Sequence, residues 1–154
     1  SKGQPSPQNL YEMTSLAYDS RREQVILHGA GQNRDELWTL DLKTRRWKNM
    51  QPKVLTPAGA SPPVCTREAA YIPGEDVFLI YGPPVWAYAP AENAWRQVRI
   101  STSTGDELPR RAGQNRAMVY DPKRDLVLLV LGTGGDAGQA SVYAMRYRHA
   151  RAQF

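Results

Sequence analysis

The sequence predicts an all-β chain built from three tandem copies of one unit, each a small antiparallel sheet. Three observations carry that expectation. Tyr18, Tyr71 and Tyr120 recur at spacings of 53 and 49 residues, inside the matching stretches "MTSLAYDSRREQVILHGAG", "TREAAYIPGEDVFLIYGPP" and "NRAMVYDPKRDLVLLVLGTG". Tryptophans recur in pairs nine apart, Trp38 with Trp47 and Trp86 with Trp95, in "ELWTLDLKTRRWKNM" and "PVWAYAPAENAWRQV". No segment sustains the apolar spacing of three and four residues that an amphipathic helix requires.

Each unit divides into short apolar pieces separated by turn residues. In the first unit the pieces fall at about residues 12–19, 24–29, 36–42 and 46–50. The polar clusters "DSRRE", "PGED" and "PKRD" separate the first piece from the second, as turn-forming residues do in hairpins. "LKTRRW" and "APAENAW" separate the third from the fourth. In the third unit, "SVYAMRYRHARAQF" puts Tyr143 in the first tryptophan slot and leaves only "RAQF" for an outer strand. Four antiparallel strands per repeat of about 50 residues is the sequence form of a propeller blade. The expected fold is therefore a β-propeller fragment of about three four-stranded blades in a single domain, residues 1–154. Its blades would lie near 11–52, 64–100 and 113–154, the last with an incomplete outer strand.

The pattern resembles Kelch repeats, as found in Kelch and galactose-oxidase-like β-propellers. That family closes its second strand on two glycines, carries an aromatic on the third strand and opens the fourth with tryptophan. Here the glycine pair is degenerate: Gly29-Ala30, Gly82-Pro83 and Leu131-Gly132, the last alongside an extra residue expected in the third unit's second strand. The resemblance implies that first strands lie nearest a common axis, where Ala17, Ala69, Ala70 and Ala117 would permit close approach. The second strands, "QVILHG", "DVFLIYG" and "DLVLLVLG", are nearly continuously apolar, which suits sheets covered on both faces. The four tryptophans would fill the widening space between outer strands.

One motif competes with this reading. "DLVLLVLGTGGDAGQASVYAM" runs a greasy strand into glycines, and Gly132, Gly134 and Ala137 fit a loose dinucleotide fingerprint. A dinucleotide site needs a helix after the glycines and an acidic residue about twenty positions on. "ASVYAMRYR" alternates like a strand, so the glycines are expected to turn a corner, and no cofactor is expected.

Composition bounds the remaining classes. With 41% hydrophobic and 23% charged residues the chain reads as soluble and folded. No apolar run approaches the roughly 18 residues of a membrane span, and "SKGQPSPQNL" lacks the apolar core of a signal peptide. The net charge of +5 comes from scattered pairs such as "SRRE", "KTRRW" and "LPRR" with acids nearby. That is a solvated surface rather than a nucleic-acid stripe. Cys65 is the sole cysteine, so the compartment stays open, secreted and periplasmic locations included.

Three blades are fewer than the four to eight that close a propeller. The expected partners are a second copy, giving a six-bladed homodimeric ring, or missing blades of a longer chain. The segment "SPQNLYEM" is a candidate extra outer strand for a last blade.

The resemblance also places ligands on the face built by two loop sets, those joining second to third strands and those joining blades. They contain "GQNRDE" and "GTGGDAGQ", then "PKVLTPAGASPPVCTRE" and "STSTGDELPRRAGQNR". Aligning the inner strands sets Arg67 and Arg116 at one position, with Gln114 and Asn115 just before. Arg67, Arg110, Arg111, Gln114, Asn115 and Arg116 are thus channel-mouth candidates, joined by Asn33 and Arg34. Guanidinium groups there suit an acidic peptide or an anionic sugar; the alternative is that Arg67 pairs with Glu68 as structure. A non-catalytic module binding protein, peptide or carbohydrate is expected. The rival is part of a propeller enzyme, a sugar isomerase, oxidase or hydrolase, with its site at the channel mouth. A copper oxidase site needs two histidines with tyrosines and a cysteine, whereas His28 and His149 map apart and no metal is expected. Cys65 has no histidine beside it in its strand, and Glu75-Asp76 and Asp106-Glu107 sit in turns.

Overall fold

A computed structural model describes residues 6–10, 14–56, 60–64, 68–82, 84–100, 116–132 and 140–148. The described residues form strands and no helix, and so contain no helix long and apolar enough to cross a membrane. Chain order gives β1 (Ser15–Asp19), β2 (Gln24–Ala30), β3 (Glu36–Asp41) and β4 (Arg46–Asn49), which form the first sheet in that spatial order. There follow β5 (Lys53–Val54), β6 (Ala69–Ile72), β7 (Val77–Ile80), β8 (Val85–Ala89) and β9 (Ala94–Val98), which form the second sheet. The third sheet contains β10 (Arg116–Asp121), β11 (Leu126–Gly132) and β12 (Ala140–Met145). All neighbours are antiparallel except β5, which lies parallel to β9.

The repeat is visible in the registers. Tyr18 pairs with Val25, Tyr71 with Phe78 and Tyr120 with Val127, each partner seven positions on. No residue is therefore inserted at the start of β11, which spans seven residues as β2 does; the two differ at the far end, where the β2–β3 register shifts between His28 and Ala30 and the β11–β12 register does not. The hairpin turns share one backbone device. Glu23, Asp76 and Asp125 close the turns after the inner strands with φ of 51°, 53° and 54°, and Arg45 and Asn93 close the outer turns with φ of 56° and 50°. A left-handed residue at this place matches hairpin twist, and most side chains adopt it at some cost. Asp19 and Asp121 offset that cost by accepting backbone N–H bonds from residues 21 and 22, and from 123 and 124.

The second sheet lies between the other two. Toward the first sheet it presents Tyr71, Phe78, Ile80, Trp86, Tyr88 and Trp95, packed with Ile26, Leu37 and Ala17. Toward the third it presents Ala70, Ile72, Val77, Leu79, Val85 and Ala87, packed with Met118, Val127, Leu129 and Leu131. Alternation along each strand puts these two sets on opposite faces. Strand β6 touches both β1 and β10, and the small Ala17, Ala69 and Ala70 sit at those contacts.

Coverage is not uniform, contrary to expectation for β11. Every residue of β7 is buried, while β11 alternates, with Leu128 and Val130 only half-buried. The physical reason is that the face of the third sheet carrying Val119 and Val142 meets no other described sheet, leaving these two side chains 54% and 65% exposed. The segment expected as an extra outer strand, "SPQNLYEM", is described only over residues 6–10. Residues 6–10 form no strand, and the Gln8 carbonyl accepts from the Gly31 N–H of the first sheet at 2.9 Å.

Ion pairs at the turn end tie the sheets together. Arg22 is held by Asp19 at 3.1 Å and reaches across to both oxygens of Asp76 at 2.6 and 2.7 Å. Asp76 also accepts from the Tyr71 hydroxyl at 2.6 Å. At the next junction Arg148 bonds Asp125 and lies 3.8 Å from Glu75, while Tyr120 donates to Asp125 at 2.9 Å.

Candidate functional site

The end opposite these turns carries an open cleft of about 440 Å³. Two connections build it. The loop from β2 to β3 supplies Asn33, Asp35 and Glu36; the passage from the first sheet to the second supplies Gln51, Pro52, Val54, Ser61, Pro62 and Val64. Asn49, at the end of β4, completes the polar wall, and His28 and Trp95 lie behind it. The two connections converge because the chain leaving β4 crosses directly to the edge of the next sheet. Lys53 N–H bonds the Asn93 carbonyl at 3.0 Å, Leu55 N–H bonds the Trp95 carbonyl at 2.9 Å, and the Asn93 amide donates to the Met50 carbonyl at 2.8 Å.

The β2–β3 loop is set by a glycine. Gly31 has φ +85°, and a Cβ there would fall 2.5 Å from Glu36 Cδ, so any side chain would displace Glu36. Glu36 is otherwise fixed by the Trp38 indole N–H, which donates to its Oε2 at 2.6 Å. Two carboxylates and several amide and hydroxyl groups therefore face one opening, and among the described residues no lysine or arginine lines it.

His28 is nearly inaccessible, at 1% exposure. Its Nε2 lies 3.2 Å from the Pro63 carbonyl, and its ring meets Trp95 edge-on at 5.2 Å. Burial pushes the imidazole below its ordinary pKa, opposed by the Pro63 carbonyl, the Asp35 carboxylate and the Glu36 backbone. A neutral ring donates its Nε2 proton to Pro63. Its Nδ1 has no hydrogen-bond partner among the described residues. His28 thus packs the junction behind the cleft, away from solvent.

Of the sequence-derived site residues, Asn33 lines the cleft. Arg34 sits in the same loop with φ 59°, and its N–H bonds the Gly31 carbonyl at 3.2 Å. Arg116 lies elsewhere, on β10. Its Nε is 3.0 Å from Oε1 of Glu68, whose side chain is wholly buried. The two are close without the alignment of a hydrogen bond, and both Glu68 oxygens lack other partners among the described residues. A structural pairing with Glu68 was anticipated for Arg67, which lies outside the described residues; Arg116 makes such a pairing. Arg67, Arg110, Arg111, Gln114 and Asn115 fall outside the described residues, as do Cys65, His149 and the glycine-rich 133–139. The strands flanking that last segment pair antiparallel, Gly132 opposite Ala140.

Sequence reasoning missed Asp35, Glu36, Asn49, Gln51 and Ser61. The loop "GQNRDE" signalled the first two. Ser61 lies in the inter-blade stretch "PKVLTPAGASPPVCTRE", signalled likewise, whereas Asn49 and Gln51 are brought in by the two-residue strand β5, too short to read from a pattern. Three of the four tryptophans are buried, Trp86 and Trp95 almost completely, with Trp47 half-buried; they are core rather than a stacking platform. No cluster of three or more His, Cys, Asp or Glu side chains suited to a metal occurs among the described residues. No family model and no curated protein matches this chain.

Proposed function

We propose that the chain is a Kelch-like propeller fragment, its three sheets acting as consecutive blades, and that it works as a binding module without catalysis of its own. Supporting this are the shared registers, the inner strands β1, β6 and β10 in sequence, and the covered faces of the middle sheet. The ring would be completed by a second copy, giving six blades, or by further blades of a longer chain. A fold does not specify a function, so the function rests on the cleft.

The observation that carries it is the convergence of the β2–β3 loop and the inter-sheet passage on one opening rich in carboxylate, amide and hydroxyl groups. Loops on a rigid scaffold commonly carry recognition. With acceptors in excess and no basic side chain among its described lining residues, the opening favours a ligand that donates hydrogen bonds, a carbohydrate first and a hydroxyl- or amide-bearing peptide second. The acidic ligand expected from the arginines is disfavoured at this place. Screening the chain on neutral glycans and then titrating the best one calorimetrically tests the reading. Asp35→Asn with Gln51→Ala should weaken that ligand at least about tenfold, as lost charge-assisted and neutral hydrogen bonds do. Unchanged affinity would place recognition elsewhere.

A further inference from the structure

We propose that the exposed face of the first sheet is a docking surface for the exposed face of the third sheet of a second copy, locked by Arg124 of one copy on Glu23 of the other. The inference rests on reading the sheets as successive blades, and the argument is internal equivalence. In the second sheet, Ala69, Tyr71, Phe78, Ile80, Trp86, Tyr88 and Trp95 share one face and are covered by the sheet before. In the third sheet, Met118, Tyr120, Val127, Leu129, Tyr143 and Met145 are covered likewise. In the first sheet the same slots hold Leu16, Tyr18, Val25, Leu27, Trp38, Leu40 and Trp47. No other described sheet covers them: Leu16 and Tyr18 are 56% and 51% exposed and Val25, Leu40 and Trp47 half-buried, while Leu27 and Trp38 are already buried beside Ala30.

The third sheet offers the matching cover. Ala117, Val119, Leu128, Val130, Val142 and Ala144 pair across one face. They correspond to the face through which the first sheet covers the second, and the second covers the third. An apolar face left uncovered in this way marks an association site.

Charge selects the occupant. At the first junction Arg22, anchored on Asp19 at 3.1 Å, bridges to Asp76, the left-handed residue of the next sheet. Arg124 repeats that arrangement, anchored on Asp121 at 2.8 Å, with its side chain 68% exposed. Its target in the repeat would be the left-handed residue of a following sheet. In this chain the unused residue of that kind is Glu23, which is exposed and of opposite charge. A second copy therefore presents to each free face both the apolar complement and the countercharge, and two copies related by a two-fold axis satisfy both junctions at once.

Charge exchange tests this by sedimentation velocity. The wild type should dimerise within about 1–100 μM. Glu23→Arg and Arg124→Glu should each lower the association constant at least about tenfold, because like charges then face at both junctions. An equimolar mixture of the two variants should recover a heterodimer. Each junction then again sets a cation against an anion, the Glu23→Arg copy supplying both cations and the Arg124→Glu copy both anions. Val142→Asp should abolish dimerisation. All these positions are exposed, and near-UV circular dichroism checks that each variant is folded. A wild type monomeric throughout, or a dimer indifferent to the swaps and to Val142→Asp, overturns the inference. A monomer that still binds ligand through Asp35 would leave the binding reading standing.

Discussion

The middle sheet and the third sheet were written in nearly the same alphabet and buried quite differently. "VFLI" and "VWAYA" are buried at every position, whereas "LVLLVLG" alternates and "ASVYAM" is largely exposed. Hydrophobic composition sets what a strand can tolerate on its two faces, and neighbours decide how much of that is used. The contrast places the fully enclosed strands in the middle sheet and an uncovered apolar face on the third.

The largest way to break the contrast is to hollow the middle. Trp95→Ala removes a ring that touches His28, Phe78 and Tyr88 at 5.2, 6.1 and 5.4 Å and should cost about 3–5 kcal/mol in urea unfolding. Val142→Ala on the third sheet should change the same measurement by less than about 0.5 kcal/mol at low protein concentration. A smaller effect separates the junctions. Arg22→Ala removes a two-oxygen grip on Asp76 and should cost about 1–2 kcal/mol, while Arg124→Ala should cost the monomer almost nothing.

Acid sharpens the comparison further. The Arg22 guanidinium, with the Tyr71 hydroxyl, holds the Asp76 carboxyl below its ordinary value. Its contribution is whole above the unfolded value near 4 and is lost as pH falls through the lower folded value. His28 acts earlier. Its folded pKa is depressed, so below about 6.5 the unfolded chain gains a proton that the folded chain resists, and stability drops. Melting curves from pH 7.5 to pH 5 should therefore show a decline that His28→Phe flattens. The smallest effect is a gain. Arg45→Gly relieves a left-handed φ of 56° in an exposed turn and should add up to about 1 kcal/mol.

Much of this architecture was legible in the residues. The tyrosine spacing and the tryptophan pairs marked three units, and the strands expected at 24–29, 36–42 and 46–50 fall within a residue or so of β2, β3 and β4. These signals survive because alternation and turn chemistry are local. The path from β4 to β9 was not legible, since its two-residue strand gains meaning only from the edge it joins. Both stretches that line the cleft were legible as loops, whereas their convergence on Asp35, Asn49 and Gln51 was not. Arg116 turned out to face a buried Glu68, a pairing that depends on β6 and β10 lying side by side. One-sided coverage of β11 was equally hidden, because an apolar run is silent about who packs against it.

The claim on which everything turns is that the outer faces are kept open for a second copy, and Trp47 reports on it directly. It is half-buried on the outer face of the first sheet, while Trp38, Trp86 and Trp95 are already enclosed. Tryptophan emission and acrylamide quenching should be followed from about 1 to about 100 μM chain. The account predicts a blue shift and falling quenchability with concentration, both lost in Trp47→Phe. Spectra that stay unchanged over that range would contradict it.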